Sequence, residues 1–170
     1  MLATHVDAEQ RYEKLRKIAL EAAQEGASNN LKFRTITAAA LNATKLWGRS
    51  PARRVEWDWL DGYGSFKFRY PKRFEMAIWH HNILISLSLG RPTYQGSALR
   101  LDFVEARPRD LGDRPSVFDE VLVAYGIYAR MINAKQIRIM HPIGDDVKAY
   151  YETFGYRYVA KQDYLFREVL

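Results

Sequence analysis

Residues 101–116 read LDFVEARPRDLGDRPS and carry most of the information about the fold. Leu101 and Phe103 alternate with polar side chains, which is the period of a β-strand. Proline and glycine then interrupt the pattern and favour a turn. Ser116, with an aspartate three residues later, is typical of a helix N-terminus. The stretch therefore predicts a strand over residues 98–106, a turn and a helix.

This turn has the features of a phosphate-binding segment. A strand that leads through a glycine-containing turn into a helix leaves backbone N–H groups unpaired, and the helix dipole attracts anions to that end. The alternative is an ordinary loop of mixed charge. The turn contains the cations Arg107, Arg109 and Arg114 and the anions Asp110 and Asp113.

The residues after the turn predict a β-α-β unit followed by a helix and a strand. The right-handed crossover rule places a short apolar strand at residues 135–140 parallel to the strand before the first helix. Asp145 or Asp146 then caps a final helix that ends at Gly155, and residues 157–168 form the last strand. The first helix carries a buried stripe of Phe118, Val121, Leu122, Tyr125, Ala129 and Ile132.

The sequence before the turn predicts antiparallel strands. Residues 74–80 and 83–89 are apolar runs separated by two residues, which is typical of a hairpin. Aromatic and β-branched residues with period two from Val55 to Trp59 predict that the sheet begins there. Residues 65–70 predict a further short strand.

The N-terminal part predicts two helices. A capping box at Asp7 begins the first, which ends at Gly26. A loop over residues 28–30 precedes a second, alanine-rich helix over residues 36–47. We therefore expect residues 1–50 to form a two-helix cap, and residues 51–170 to form the sheet with the β-α-β-α-β unit, all within a single domain of 170 residues.

Composition narrows the functional classes. The chain has no cysteine, so disulfides, thiolate metal sites and a thiol nucleophile are excluded, and we predict no metal site. We find neither a secretion signal at Met1 to Val6 nor an apolar run of membrane-spanning length, so we expect a cytoplasmic protein. The net charge of +6 favours polyanionic partners, although a solvated basic surface explains it equally well.

A second candidate element lies on the final helix, where a tyrosine stands four residues before the helix-ending Gly155. A phenol in this place can serve as a general acid. The alternative is that Tyr150, Tyr151 and Phe154 are core residues. Because adjacent helical positions cannot both point fully inward, one of the two tyrosines must reach an edge or a cavity.

Together the two elements resemble the GNAT family of N-acyltransferases over the C-terminal half of the chain. The family's turn pattern, V-x-x-x-x-[QR]-x-x-G-x-[GA], is matched by Val104, Arg109 and Gly112, whereas Arg114 departs from it. The later family pattern, N-x-x-A-x-x-x-Y-x-x-x-G-F, places its tyrosine at Tyr151, with Gly144 instead of the asparagine.

The resemblance implies an α/β (α+β) fold with a mixed, mostly antiparallel central sheet flanked by helices. It also implies acetyl-CoA or another acyl-CoA as cofactor, Tyr151 as the acid that protonates the leaving thiolate, and Glu105 as a candidate general base, although a surface carboxylate is the alternative for Glu105. The implied cofactor-binding residues are Val104, Arg107, Arg109, Asp110, Leu111, Gly112, Asp113, Arg114 and Ser116.

The resemblance leaves the function open at several points. Arg114 either blocks the cofactor pyrophosphate or clamps it. The leading expectation is transfer of an acyl group to an amine on a small molecule or a protein. The alternatives are a catalytically degenerate binding or inhibitory protein and, as a minor one, nucleic-acid base modification. We expect no membrane partner and either a monomer or a homodimer. Aromatic and acidic residues at Trp57, Asp58, Trp59, Asp61 and Tyr63 are candidates for holding the amine.

Overall fold

The computed structural model describes residues 3–28 and 30–170 and contains one mixed sheet in that part of the chain. The strand order is β1-β2-β3-β4-β5-β7-β6. Among the strands of the described residues, β4 and β5 pair in parallel and the other neighbours pair antiparallel. The strands are β1 (Leu31–Arg34), β2 (Phe74–His80), β3 (Ile83–Pro92), β4 (Ala98–Ala106), β5 (Gln136–Met140), β6 (Arg157–Val159) and β7 (Tyr164–Glu168). The helices are α1 (Ala3–Glu25), α2 (Ala38–Trp47), α3 (Trp59–Arg69), α4 (Phe118–Met131) and α5 (Asp145–Glu152).

Two apolar cores lie on opposite faces of the sheet. The first contains α1, α4 and α5 side chains, and its centre is Phe74, whose ring lies 4.8 Å from Tyr125 and 4.7 Å from Tyr128. The second is built by α2 and α3 against β2, β3 and β4. Among the described residues, no side chain of β5, β6 or β7 belongs to the second core. That face of the sheet is therefore uncovered on one half.

The C-terminal half confirms the expected β-α-β unit. The strand over 98–106 has the expected bounds, and β5 pairs in parallel with β4. Of the expected stripe, Val121, Leu122, Tyr125 and Ala129 are buried in α4, whereas Phe118 and Ile132 are partly buried and Ile132 follows the end of the helix. The hairpin of β2 and β3 is also confirmed. The last strand is wrong as a single element, because residues 160–163 turn the chain back and β6 pairs antiparallel with β7.

The expected caps of these two helices are wrong. The residue before α4 is Val117 and the residue before α5 is Gly144, and neither end has a side-chain cap. Ser116 and the aspartates at 145 and 146 therefore do not cap these helices. The first-turn N–H groups of α4 are therefore left without a side-chain acceptor.

The strands expected over residues 55–59 and 65–70 are also wrong, because residues 55–58 have no regular secondary structure and Trp59–Arg69 forms α3. The Asp58 side chain accepts a hydrogen bond from the Leu60 N–H at 2.9 Å and caps this helix. Gly62 lies against the Trp57 indole, where a Cβ atom would come within 2.2 Å of a ring carbon. Glycine is needed here for helix packing, although on sequence propensity it argues against a helix.

The N-terminal region differs from a purely helical cap. Between α1 and α2, β1 extends the sheet by pairing with β2. The first helix begins before Asp7, so the expected capping box lies inside α1. Met1, Leu2 and Asn29 lie outside the described residues. None of the described helices combines the length and hydropathy that a membrane span requires.

Strand β4 contains the irregularity that creates the candidate site. Its register with β3 shifts between Leu101, opposite Gly90, and Phe103, opposite Leu89, so Asp102 is an extra residue in a β-bulge. Pairing of β4 with β3 continues to Ala106, whereas pairing of β4 with β5 is confined to residues 98–101. The edge of residues 102–106 that faces β5 is therefore not covered by that strand.

Candidate active site

A cavity of about 340 Å³ lies where β4 ends, between the turn, the start of α4 and α5. Its lining contains two arginines and no carboxylate, so it favours an anionic ligand. We call it the β4–α4 cavity. It is lined by Ser86, Val104, Ala106, Arg109, Arg114, Ser116, Val117, Phe118, Val121, Tyr150 and Tyr151.

The turn after β4 is shaped by its own arginines. A short 3₁₀ turn, Arg109–Leu111, ends at Gly112, which has φ 127° and ψ 158°. Only glycine adopts this backbone region without strain. The Arg107 guanidinium donates to the Leu111 carbonyl at 2.8 Å. These contacts fix the turn without a bound ligand.

Arg114 is half-buried at the wall of the cavity. Its guanidinium donates to the carbonyl oxygen of Arg107 and, at 3.4 Å, to that of Pro115. Burial, together with the nearby Arg109 charge, lowers the pKa of Arg114 below its ordinary value. Because its contacts are to neutral carbonyls, its positive charge is not cancelled within the turn.

The start of α4 adds polar donors to the same region. Val117 and Phe118 line the cavity, and no side chain caps the helix there. First-turn N–H groups without a cap are an anion-binding feature of a helix N-terminus. Asp119 and Glu120 oppose this attraction from the same turn. The lining of the cavity contains Arg109 and Arg114 and neither of these two acids.

Helix α5 places two adjacent tyrosines at the cavity in different ways. Tyr151 is 9% exposed, and its ring packs 4.7 Å from Phe118, whereas Tyr150 is 43% exposed. Burial raises the pKa of Tyr151 to about 12, so the phenol stays protonated at neutral pH. The Tyr151 hydroxyl makes no hydrogen bond to any residue that the structure describes, so it is available as a proton donor.

Glu105 lies on the face opposite the cavity and is fully engaged. Its carboxylate accepts two hydrogen bonds from Arg53, at 2.8 and 3.0 Å, and a third from the Trp59 indole N–H at 2.8 Å. The side chain is only 5% exposed. The geometry therefore gives Glu105 the role of holding Arg53 and α3, and a proton-accepting role would require this pair to open.

The predicted cofactor residues fall into two groups. Val104, Arg109, Arg114 and Ser116 line the cavity, together with the predicted acid Tyr151. The remaining ones shape the turn or face elsewhere. In that second group, Arg107 and Gly112 hold the turn, Asp110 accepts a 2.6 Å hydrogen bond from Ser50, Leu111 packs on the second core, and Asp113 is exposed.

The candidate amine-binding aromatics are mostly core residues. Trp59 and Tyr63 are buried, and Trp57 stacks on Phe103 with ring centroids 3.9 Å apart. Asp58 is used as the helix cap. The alternative interpretation of these positions, as core and sheet-face residues, is the one that the structure supports.

The segment 50–57 crosses the site and was not identified from sequence as part of it. Ser50 contacts the turn at Asp110, Arg53 pairs with Glu105 on β4, and Arg54 forms an ion pair with Asp146 at 3.0 Å. The last pair is exposed and contributes little stability. Basic residues in this segment were visible in the sequence, but their partners lie 52 to 92 positions away along the chain.

Comparison with known proteins identifies the architecture. No family model matches the chain, and no curated protein matches its sequence. A solved structure assigned to the GNAT acetyltransferase family, from Desulfovibrio desulfuricans, has a TM-score of 0.63 at 12% identity and covers 82% of this chain and 99% of its own. Spermidine N-acetyltransferase from Vibrio cholerae has a TM-score of 0.61 at 12% identity, with coverages of 83% and 95%.

A third solved structure agrees with these two. The ribosomal-protein-S18-alanine N-acetyltransferase from Escherichia coli has a TM-score of 0.59 at 8% identity, with coverages of 82% and 94%. All three match nearly their whole length, so the similarity extends over the architecture rather than over one motif. The fold implied by the sequence resemblance is confirmed, and the chain has the fold of the GNAT acetyltransferases.

Proposed function

We propose that this chain is a single-domain N-acyltransferase that transfers an acetyl or other acyl group from acyl-CoA to an amine. The observation that carries the proposal is the β4–α4 cavity, which joins an arginine-bearing turn, an uncapped helix end and a protonated tyrosine. These are the groups needed to bind a pyrophosphate and to protonate a departing thiolate.

The residues present fit acyl-CoA. Arg109, Arg114 and the N-terminus of α4 would hold the pyrophosphate, because the cavity lining has no opposing carboxylate. The β4 edge of residues 102–106 that β5 leaves uncovered would pair with the amide-containing pantetheine arm, as a further strand pairs with a sheet edge. When bound, acyl-CoA supplies an activated acyl group and a thiolate leaving group.

The protein's own contribution to the reaction is positioning and one proton transfer. An uncharged amine would attack the thioester carbonyl, and backbone N–H groups of the uncovered β4 edge would stabilise the negative charge on its oxygen. As the carbon–sulfur bond breaks, the Tyr151 hydroxyl would donate its proton to the sulfur, and the proton that the amine nitrogen loses would pass through water and restore the Tyr151 hydroxyl. Glu105 acts as a positioning residue, because its ion pair with Arg53 holds segment 50–57 beside the β4 edge.

Acetyl-CoA should stabilise the protein against unfolding. At one hundred times its dissociation constant, a ligand that binds only the folded state adds about 2.7 kcal/mol. For a domain of this size we expect Tm to rise by about 5 to 10 °C. The measurement is thermal unfolding with and without acetyl-CoA. Adenosine is the control for non-specific effects of a nucleoside. No shift at millimolar acetyl-CoA would contradict the proposal.

Replacing Arg114 with glycine should weaken acetyl-CoA binding. In the structure its charge is held at the cavity wall by backbone carbonyls, which suits a clamp on the pyrophosphate. We expect the dissociation constant from calorimetry to rise about tenfold, since a charge-assisted hydrogen bond contributes about 1.5 kcal/mol. Arg114→Lys keeps the positive charge but lacks the planar guanidinium that donates two parallel hydrogen bonds, so it should show a smaller loss of affinity. Tighter binding by Arg114→Gly would mean that the side chain blocks the site.

A binding protein without catalysis is the second candidate. The observation that favours it is the engagement of Glu105, which leaves this carboxylate without a free role as a base. Both candidates predict acetyl-CoA binding. They differ in catalysis. Only the enzyme releases free thiol from acetyl-CoA when a panel of primary amines, including polyamines and peptide N-termini, is added.

A further inference from the structure

A row of cationic side chains crosses the sheet on its uncovered face. Backbone pairing places Arg91 of β3 opposite Arg100 of β4, Arg100 opposite Arg138 of β5, Arg138 opposite Phe166 of β7, and Phe166 opposite Arg157 of β6. Residues paired across neighbouring strands share one face of the sheet. We call this set the arginine row.

The face that carries the arginine row is open over β5, β7 and β6, whereas α2 and α3 cover part of it over β3 and β4. Strand β5 alternates between partly exposed and buried positions, with Ile137 and Ile139 buried on the first core and Arg138 on the other face. The second core, formed by α2 and α3, contains no residue of β5, β6 or β7 in the described part of the chain. All five members of the row are at least partly exposed.

The row carries a net positive charge that the protein offsets only in part. Arg91, Arg100 and Arg138 lie opposite one another in succession, and like charges in such positions repel. Asp102 compensates Arg100 at 2.6 Å. Within residues 3–28 and 30–170, the structure shows no ion pair for Arg91, Arg138 or Arg157. A polyanion along the row would remove the repulsion.

Aromatic rings lie beside the same arginines. The guanidinium carbon of Arg138 is 4.7 Å from the Tyr164 ring centroid, that of Arg157 is 5.3 Å from Phe166, and that of Arg91 is 4.3 Å from Tyr70. Tyr164 and Phe166 are themselves partly exposed. The face therefore presents partly exposed aromatic rings, each with a guanidinium group against it.

We propose that this face binds single-stranded nucleic acid, with the phosphate backbone along the arginine row and unpaired bases against Tyr164 and Phe166. Five strands span four spacings, about 19 Å, which accommodates several nucleotides. Phosphate neutralisation together with base stacking on aromatic side chains is the physical basis of single-strand binding. In a duplex the bases are paired and stacked on one another, so they cannot stack on Tyr164 and Phe166.

Other occupants fit the face less well. A second copy of the chain would bring an identical row of positive charge against the first, because a twofold interface pairs the same patch with itself. An acidic protein would match the charge, but its carboxylates would not use the rings. The proposed binding is independent of the acyl-transfer proposal, since the row lies on the face opposite the β4–α4 cavity.

The test measures binding of fluorescein-labelled (dT)12 and (rU)12 to the full chain by anisotropy, without acyl-CoA, over a series of salt concentrations. With three neutralised phosphates we expect the logarithm of the association constant to fall against that of salt with a slope of about −2. Arg138→Gln with Arg157→Gln should weaken binding about tenfold and reduce the slope by about 1.4. Phe166→Leu, which keeps an apolar side chain, should weaken binding about fivefold through lost stacking.

The matched control is Arg11→Gln with Lys14→Gln, which removes the same charge from the exposed surface of α1, on the opposite side of the sheet. This variant should keep most of the affinity. Thermal unfolding checks that each variant is folded. If the variant with both Arg138→Gln and Arg157→Gln is unfolded, Arg157→Gln alone replaces it in the binding measurement. Equal losses in both double variants, tighter binding of a 12-base-pair duplex, or equal competition by poly-glutamate would each overturn the proposal.

Discussion

Tyr151→Phe is expected to lower the rate of acyl transfer by about a hundredfold or more while leaving acetyl-CoA affinity unchanged. General acid catalysis by a positioned side chain contributes a factor on this order. The substitution removes only the hydroxyl, and the ring contacts with Phe118 that hold α5 against α4 are kept. Steady-state kinetics and calorimetry separate the two effects, since kcat should fall while the dissociation constant stays the same.

Tyr150→Phe is the matched control, because it deletes the same atom from the neighbouring residue. Tyr150 lines the cavity but is 43% exposed, so water can replace its hydroxyl.

A raised pKa of about 12 means that Tyr151 loses its proton, and with it any acid activity, only as pH rises through that value. We therefore expect no decline in rate from this group between pH 7 and about 10. Full activity in Tyr151→Phe would remove it from the mechanism.

Gly90→Ala is expected to destabilise the fold by about 3 kcal/mol or more, with Tm falling by about 10 °C. A Cβ atom at this position would stand 1.9 Å from the Arg100 carbonyl oxygen and 3.2 Å from the Leu101 Cα. Both are backbone atoms of β4, so no side-chain rotation relieves the contact, and the two strands must move apart at the bulge. Chemical denaturation is the direct measurement.

Gly126→Ala provides the control for the loss of a glycine. It lies in the interior of α4 with no heavy atom within 4 Å of the added carbon. Since alanine favours helix over glycine, this variant should be more stable by about 0.5 to 1 kcal/mol. The two substitutions have opposite signs because only the Cβ atom at position 90 collides with backbone atoms, whereas the one at position 126 only raises helix propensity. If Gly90→Ala unfolds at the wild-type midpoint, the close strand approach at the bulge is not present in solution.

The C-terminal half was predictable because its signals are local. The alternation in β4, the buried stripe of α4 and the glycines at 112 and 155 each specify a conformation from neighbouring residues. The prediction that the turn and Tyr151 share one site came instead from the resemblance to a family. The position of Arg114 could not be predicted, since it depends on backbone carbonyls that the folded turn brings together.

The N-terminal half was less predictable for a physical reason. Strand β1 has only four residues and forms by pairing with the edge of β2. It depends on a contact between distant residues, which the local sequence does not reveal. Helix α3 contains two glycines and several aromatics, which favour a strand on propensity. It forms because Asp58 caps it and because Gly62 allows it to contact Trp57. Neither contact is visible in a hydrophobic pattern.

The pairing between β4 and β5 ends early and leaves a backbone edge on β4, and binding to this edge depends little on which side chains β4 carries. Every amino acid except proline carries the same backbone donor and acceptor, so a strand edge recognises an amide-bearing ligand whatever its side chains are. Substitutions can then accumulate along β4 without removing that edge, as long as Gly90 admits the bulge. The fold of this chain is matched by solved structures at identities of 8 to 14% over most of its length, so the backbone that forms this edge is retained through extensive change of side chains.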